Sequence, residues 1–117
     1  MHEGPARISR VSEVPLAPGM ILSNEPGYYR EGAFGIRIEN LILVENALPM
    51  TGADRRDMLC FRTLSFTPID RRLILAEMLS AEERAWLDAY HAETLARIGP
   101  RVSPATRGWL EAACAPL

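Results

Sequence analysis

Met20-Ile21-Leu22-Ser23-Asn24-Glu25-Pro26-Gly27, followed by Gly35-Ile36-Arg37-Ile38-Glu39-Asn40-Leu41-Ile42-Leu43-Val44, decides the fold of this chain. The first run reads as a buried strand from Met20 to Glu25. Pro26 ends it by holding Glu25 in an extended conformation and removing the next backbone donor. The second run, Gly35 to Val44, is rich in Ile, Leu and Val and reads as another strand. Between them Gly27, Gly32 and Gly35 predict a loop through Tyr28, Tyr29 and Phe34, and the two strands are expected to pair antiparallel. A period of two places Ile21, Ser23 and Glu25 on one face of the first strand, and Arg37, Glu39, Leu41 and Leu43 on one face of the second. If those faces coincide, the two carboxylates converge, with Arg37 close enough to orient them by a forked hydrogen bond.

Working outward, residues 1–19 carry Pro5, Pro15, Pro18 and Gly19 with little periodicity and read as loop. After the polar turn from Thr51 to Asp57, a third strand or pair of strands is expected between Met58 and Phe66, ended by Thr67-Pro68-Ile69-Asp70. The last third changes period. Ser80-Ala81-Glu82-Glu83 resembles a capping box and opens a helix that runs to about Ile98, where Gly99-Pro100 stops it. Trp86 with Tyr90, and Leu87 with His91, Leu95 and Ile98, form stripes expected to pack on the sheet. Ser103-Pro104 supplies an N-cap and an N1 proline for a short helix through Trp109, Leu110 and Ala113. The expected class is α+β, an antiparallel sheet packed with C-terminal helices.

The chain has 117 residues, 48% of them apolar and 24% charged, which suits a single globular domain with one core. Its formal net charge of -2 predicts no pull toward nucleic acid or an anionic membrane. No apolar run approaches the roughly 20 residues of a bilayer span, and Met1-His2-Glu3-Gly4-Pro5 lacks the features of a signal peptide. A soluble, cytoplasmic protein is expected. Gly4-Pro5 resembles a turn inside a domain, so the expectation is a truncated chain. Cys60 and Cys114 match neither a zinc knuckle nor a disulfide framework, and both, Cys60 in an apolar strand and Cys114 near the C-terminus, are expected to be buried or inert.

Glu25 and Glu39 among Ile and Leu need a cation, a partner or a chemical role, because a lone buried carboxylate is costly to ionise. One reading is a salt bridge to Arg37 or Arg30. The other is metal ligation, where oxygen donors suit manganese, cobalt, iron or magnesium better than a thiolate-loving zinc site. His91 reads as a core or subunit-contact residue, and Trp86, Tyr90 and Trp109 as anchors of the helices on the sheet.

His2-Glu3-Gly4-Pro5, then Leu16 to Tyr29 with Ser23-Asn24-Glu25-Pro26-Gly27 at its centre, then Phe34-Gly35-Ile36-Arg37-Ile38-Glu39-Asn40, closely resemble the pita-bread metallopeptidases, Xaa-Pro aminopeptidases in particular. Thr67-Pro68-Ile69-Asp70-Arg71-Arg72 and the segment Glu82 to His91 are similar to the C-terminal segment of the long members, so the resemblance covers nearly the whole chain. It implies the C-terminal part of a pita-bread fold over residues 1–70 and a helical extension over 71–117. It also implies a site of two divalent metal ions, manganese in the usual case, held by two Asp, one His and two Glu, which activates water against the bond preceding a proline in second position. On these motifs Glu25 corresponds to the first glutamate, with proton-handling duties, and Glu39 to the second, which bridges both metals. His2 corresponds to the substrate-contacting histidine and Arg37 to the arginine supporting the carboxylates. Three of the five ligands precede His2 in that pattern and have no counterpart here, Asp54, Asp57, Asp70 and Asp88 lying in unrelated settings. Alone, the chain is expected to be catalytically silent and to hold metal weakly or not at all. Two alternatives stay open: a non-catalytic binding module that self-associates into a homo-oligomer, and a prolidase- or creatinase-like member.

Overall fold

The computed structural model describes residues 6–52 and 56–117. The chain forms two compact units, one ending at Ser65 and the other spanning Phe66–Leu117.

The first unit is built from antiparallel strands β1 (Ile21–Asn24), β2 (Gly27–Arg30), β3 (Phe34–Arg37), β4 (Asn40–Asn46) and β5 (Leu59–Thr63). β4 is the centre of a three-stranded sheet ordered β1-β4-β5, while β2 and β3 pair with each other. In β4, Asn40, Ile42 and Val44 are buried and the residues between them are half-buried, the period-two pattern of a strand with one covered face. Leu22, Ile42 and Val44 make the small core on that face, with Ala6, Leu16 and Met20 packed against it. Ala17-Pro18-Gly19-Met20 turns the chain into β1: Met20 N–H donates to Ala17 O at 3.2 Å, with Gly19 at φ 92°. Proline second and a left-handed glycine third are what a type II turn requires.

Two expectations are corrected. The stretch Gly27 to Gly35 is not a loop but the β2–β3 hairpin, whose connection shrinks to residues 31–33 around Gly32 at φ 68°. Tyr28, Tyr29, Phe34 and Ile36 favour extended backbone, and only Gly32 of the three glycines in this stretch has positive φ. The expected second strand, Gly35 to Val44, is divided into β3 and β4, interrupted at Ile38-Glu39 opposite Glu25-Pro26. The register nevertheless carries through: Asn24 faces Asn40 in one ladder and Gly27 faces Arg37 in the next. Ile38 N–H donates to Pro26 O at 3.1 Å across the break.

The second unit has α1 (Ala81–Ile98) and α2 (Pro104–Ala113), with single 3-10 turns at Arg71–Leu73, Ala76–Met78 and Gly99–Arg101. The capping box at Ser80 forms as expected: Ser80 Oγ accepts the Glu83 N–H at 3.2 Å and Glu83 Oε2 accepts the Ser80 N–H at 2.8 Å. Ser103 caps α2 by accepting the Thr106 N–H at 3.3 Å, with Pro104 in the first turn. The buried face of α1 is Leu87, Tyr90, His91 and Thr94, a helical repeat in which only Leu87 is purely aliphatic. Trp86 and Trp109 are 53% and 62% exposed. Trp86 stacks on Tyr90 at 5.5 Å, Tyr90 stacks on Phe66 at 6.4 Å, and the Arg97 guanidinium lies 4.6 Å over the Phe66 ring. No described helix is long and apolar enough to cross a membrane.

Candidate metal-binding carboxylate pair

Pro26 ends β1 one residue after Glu25, and the continuous register sets Glu25 opposite Glu39 at the break between the two ladders. Two like charges directly opposed on paired strands repel each other. Arg37 answers that repulsion. Its Nη1 lies 3.2 Å from Glu25 Oε2 and its Nη2 3.1 Å from Glu39 Oε2, so one guanidinium spans both carboxylates. A planar fork with several donors can do this where an ammonium, a point charge, cannot.

Arg37 holds its proton more tightly than a free arginine, first because of Glu39, then through a hydrogen bond with the Tyr29 side chain, with a smaller contribution from Glu25. The ring of Tyr29 lies flat over two glycines. A methyl group at Gly27 would come within 2.7 Å of Tyr29 Oη, and one at Gly35 within 2.8 Å of its Cδ1. Gly27 and Gly35 are therefore a floor for the ring, which carries its hydroxyl toward Arg37. Sequence reasoning missed Tyr29, although the signal was present: Tyr29 shares the face of Gly27 and Glu25 by alternation, and Gly35 is its partner across the hairpin.

The carboxylates are not buried as expected of an apolar sheet, their side chains being 27% and 37% exposed. They lie opposite the covered face of Leu22 and Ile42, beside Ile21 at 56% exposure. Ser23, two residues before Glu25, has a buried hydroxyl with no hydrogen-bond partner among the described residues. The salt-bridge reading and the metal reading thus meet in one arrangement, because a cation already organises the two acidic groups.

His2 and Asp54 lie outside the described residues. Asp70 is engaged with Arg72 at 2.6 Å, and Asp88 accepts the Leu117 N–H at 3.0 Å. His91 is fully buried, its Nε2 accepting the Ile69 N–H at 3.0 Å, which is a core role. Cys60 is exposed, so its burial is not borne out, whereas Cys114 is buried and its thiol pKa is raised by that burial. Among the described residues no three His, Cys, Asp or Glu side chains gather as a metal set. Two opposed carboxylates fit part of a site for hard divalent cations and fall short of a complete one.

The sequence profile of metallopeptidase family M24 matches residues 1–46, and that of the C-terminal region of peptidase M24 matches residues 57–117. The whole chain is 39% identical to a probable Xaa-Pro aminopeptidase P from Laccaria bicolor and 40% identical to one from Botryotinia fuckeliana, spanning 19% of each. A probable Xaa-Pro aminopeptidase P from Metarhizium robertsii is 46% identical over 81% of the chain and 16% of that relative. The fold matches the X-prolyl aminopeptidase of Caenorhabditis elegans, described as a cytosolic enzyme with a di-nuclear active site. The TM-score is 0.82 at 34% identity, over 99% of this chain and 19% of that one. The chain thus spans about a fifth of the length of these relatives. With both profiles matched in order and the strand and helix arrangement shared, the chain belongs to the M24 metallopeptidases and has the fold of the C-terminal part of their pita-bread domain.

Proposed function

We propose that this chain supplies the carboxylate side of a dinuclear metal site in an Xaa-Pro aminopeptidase, a hydrolase removing the N-terminal residue from peptides with proline in second position. The observation carrying this reading is the opposition of Glu25 and Glu39 with Arg37 forked between them. Glu25 and Glu39 would hold the metal ions, Glu25 with proton-handling duties, and His2 would contact the substrate. Two divalent ions, manganese by preference, would supply the lowered water pKa and the polarised carbonyl that amide hydrolysis needs. The residues of this chain hold and orient. Arg37 aims both glutamates, and Tyr29 steadies Arg37. Because two carboxylates alone make a poor site, the isolated chain is silent and binds metal weakly. Its working setting is the cytoplasm.

The test is complementation. Mixed with a polypeptide carrying the preceding part of a relative such as the Laccaria bicolor protein, plus manganese, the chain should restore cleavage of an Xaa-Pro peptide. Glu39→Gln, folded by circular dichroism, should lower that rate by more than about 100-fold, since loss of even an outer-shell partner of a metal typically costs 10- to 100-fold. Cleavage by the chain alone, at a rate indifferent to Glu39→Gln, would overturn the reading.

A further inference from the structure

The centre of the helical unit is polar, and it holds both ends of that unit. His91 of α1 is fully buried, and its Nε2 accepts the Ile69 N–H at 3.0 Å. One residue earlier, the Tyr90 hydroxyl accepts the Thr67 N–H at 3.2 Å and donates to Thr67 O at 2.9 Å. Together these side chains fasten the segment 67–69 that leads into the unit. An imidazole nitrogen that accepts a hydrogen bond carries no proton, so the Ile69 contact assigns a neutral ring protonated on Nδ1. That Nδ1 is buried without a hydrogen-bond partner among the described residues.

The charged groups facing the ring are Arg71, from the 3-10 turn Arg71–Leu73, and Asp88, one turn earlier on α1. The other titratable neighbour is the Tyr90 phenol, tilted at 6.0 Å between ring centroids. Arg71 and Asp88 also fasten the last residues of the chain. Arg71 Nη1 donates to Ala112 O at 3.3 Å and Nη2 to Pro116 O at 2.8 Å, while Asp88 Oδ1 accepts the Leu117 N–H at 3.0 Å.

We propose that His91 is an acid-sensitive lock for the helical unit: neutral, it holds the entering segment 67–69, and on protonation it releases that segment and loosens the tail fastened by Arg71 and Asp88. Proton uptake at Nε2 sets an N–H against the Ile69 N–H, two buried donors facing each other. It also places a cation beside Arg71, which is repelled, and draws Asp88 away from the Leu117 N–H. Burial is the main reason the ring resists that proton, and Arg71 adds to it, with Asp88 opposing. With the folded value below the ordinary 6.5, the released state binds more protons in the window beneath 6.5. The lock is therefore at full strength above that pH and weakens as pH falls from 6.5 toward the folded value.

The experiment is amide exchange by NMR on the full chain from about pH 7.5 to about pH 5, corrected for intrinsic exchange, with the His91 ring shift followed in parallel. Ile69 and Leu117 should lose protection together, by roughly tenfold per pH unit from 6.5 down to the pH at which the folded ring titrates, and level off below it. In His91→Gln, whose side-chain oxygen can accept the Ile69 N–H without titrating, protection should stay flat. Equal pH dependence in the variant, or Ile69 protection that stays constant as pH falls below 6.5 with the folded ring still neutral, overturns the lock. Leu117 protection unchanged while that of Ile69 falls overturns the coupling to the tail. Should His91→Gln fail to fold, the wild-type comparison of ring and amides still decides.

Discussion

Arg37 is worth more to its surroundings than either of its ion pairs taken singly. Its side chain is 47% exposed, and exposed pairs contribute little in isolation. What it removes is the repulsion of two glutamates that the register forces into opposition. Arg37→Met should therefore lower the thermal midpoint most at low ionic strength, with the gap from wild type closing as salt screens Glu25 from Glu39. A gap independent of salt would count against that role. The glycine floor makes a second residue-scale prediction. Gly35→Ala puts a methyl 2.8 Å from the Tyr29 ring, which is 65% exposed and must shift, a cost of about 0.5–1 kcal/mol, below that of overpacking a closed core. Denaturant unfolding should show that loss, and Tyr29→Ala in the same chain should recover most of it. Glu25, Glu39 and Arg37 were legible from the sequence because alternation along a strand is rigid. Tyr29 was not, because glycines on either side of it read as turn punctuation, when two of them serve to make room for a ring.

At the scale of elements, the strong local signals survived and the weak ones did not. Ser80 with Glu83, and Ser103 with Pro104, set both helix starts because a cap needs only neighbouring residues. The break between β3 and β4 was invisible because what faces it, Glu25-Pro26 between β1 and β2, is distant in sequence. The 3-10 turn at Arg71–Leu73 was also unread, although Asp70 caps it by accepting the Arg72 N–H at 3.1 Å. Hydrogen bonds from the Arg72 side chain, then from its backbone, hold the Asp70 carboxyl at about 2, below the ordinary 3.8. A lowered folded value means that the stabilisation is complete above 3.8 and is lost as pH falls from there toward about 2. Asp70→Asn keeps a capping oxygen without the charge, so the variant should lack the part of acid unfolding that falls in this window. Identical acid titrations for variant and wild type would show that the turn does not report on the unit's stability.

At the scale of the whole chain, burial is thin where the carboxylates are. Among the described residues the core of the sheet unit has three buried apolar residues, while Tyr28, Phe34 and Phe61 are each more than half exposed. Among the described residues β1 and β5 each pair with β4 alone, which leaves an outer ladder on each, the usual template for edge-to-edge association. Apolar side chains beside open edges favour contact with another copy when nothing else covers them. The purified chain should therefore sediment with a weight-average coefficient that rises with concentration. Phe61→Lys, which places a charge on the β5 edge, should shift it toward monomer without changing the circular dichroism of the helices. A chain that stays monomeric at every concentration would show that these surfaces tolerate water unaided. The same measurement bears on the proposed metal site. If self-association covers the Glu25 and Glu39 face, adding a polypeptide with the missing ligands must first compete with it, and restored peptidase activity should rise as Phe61→Lys frees the monomer.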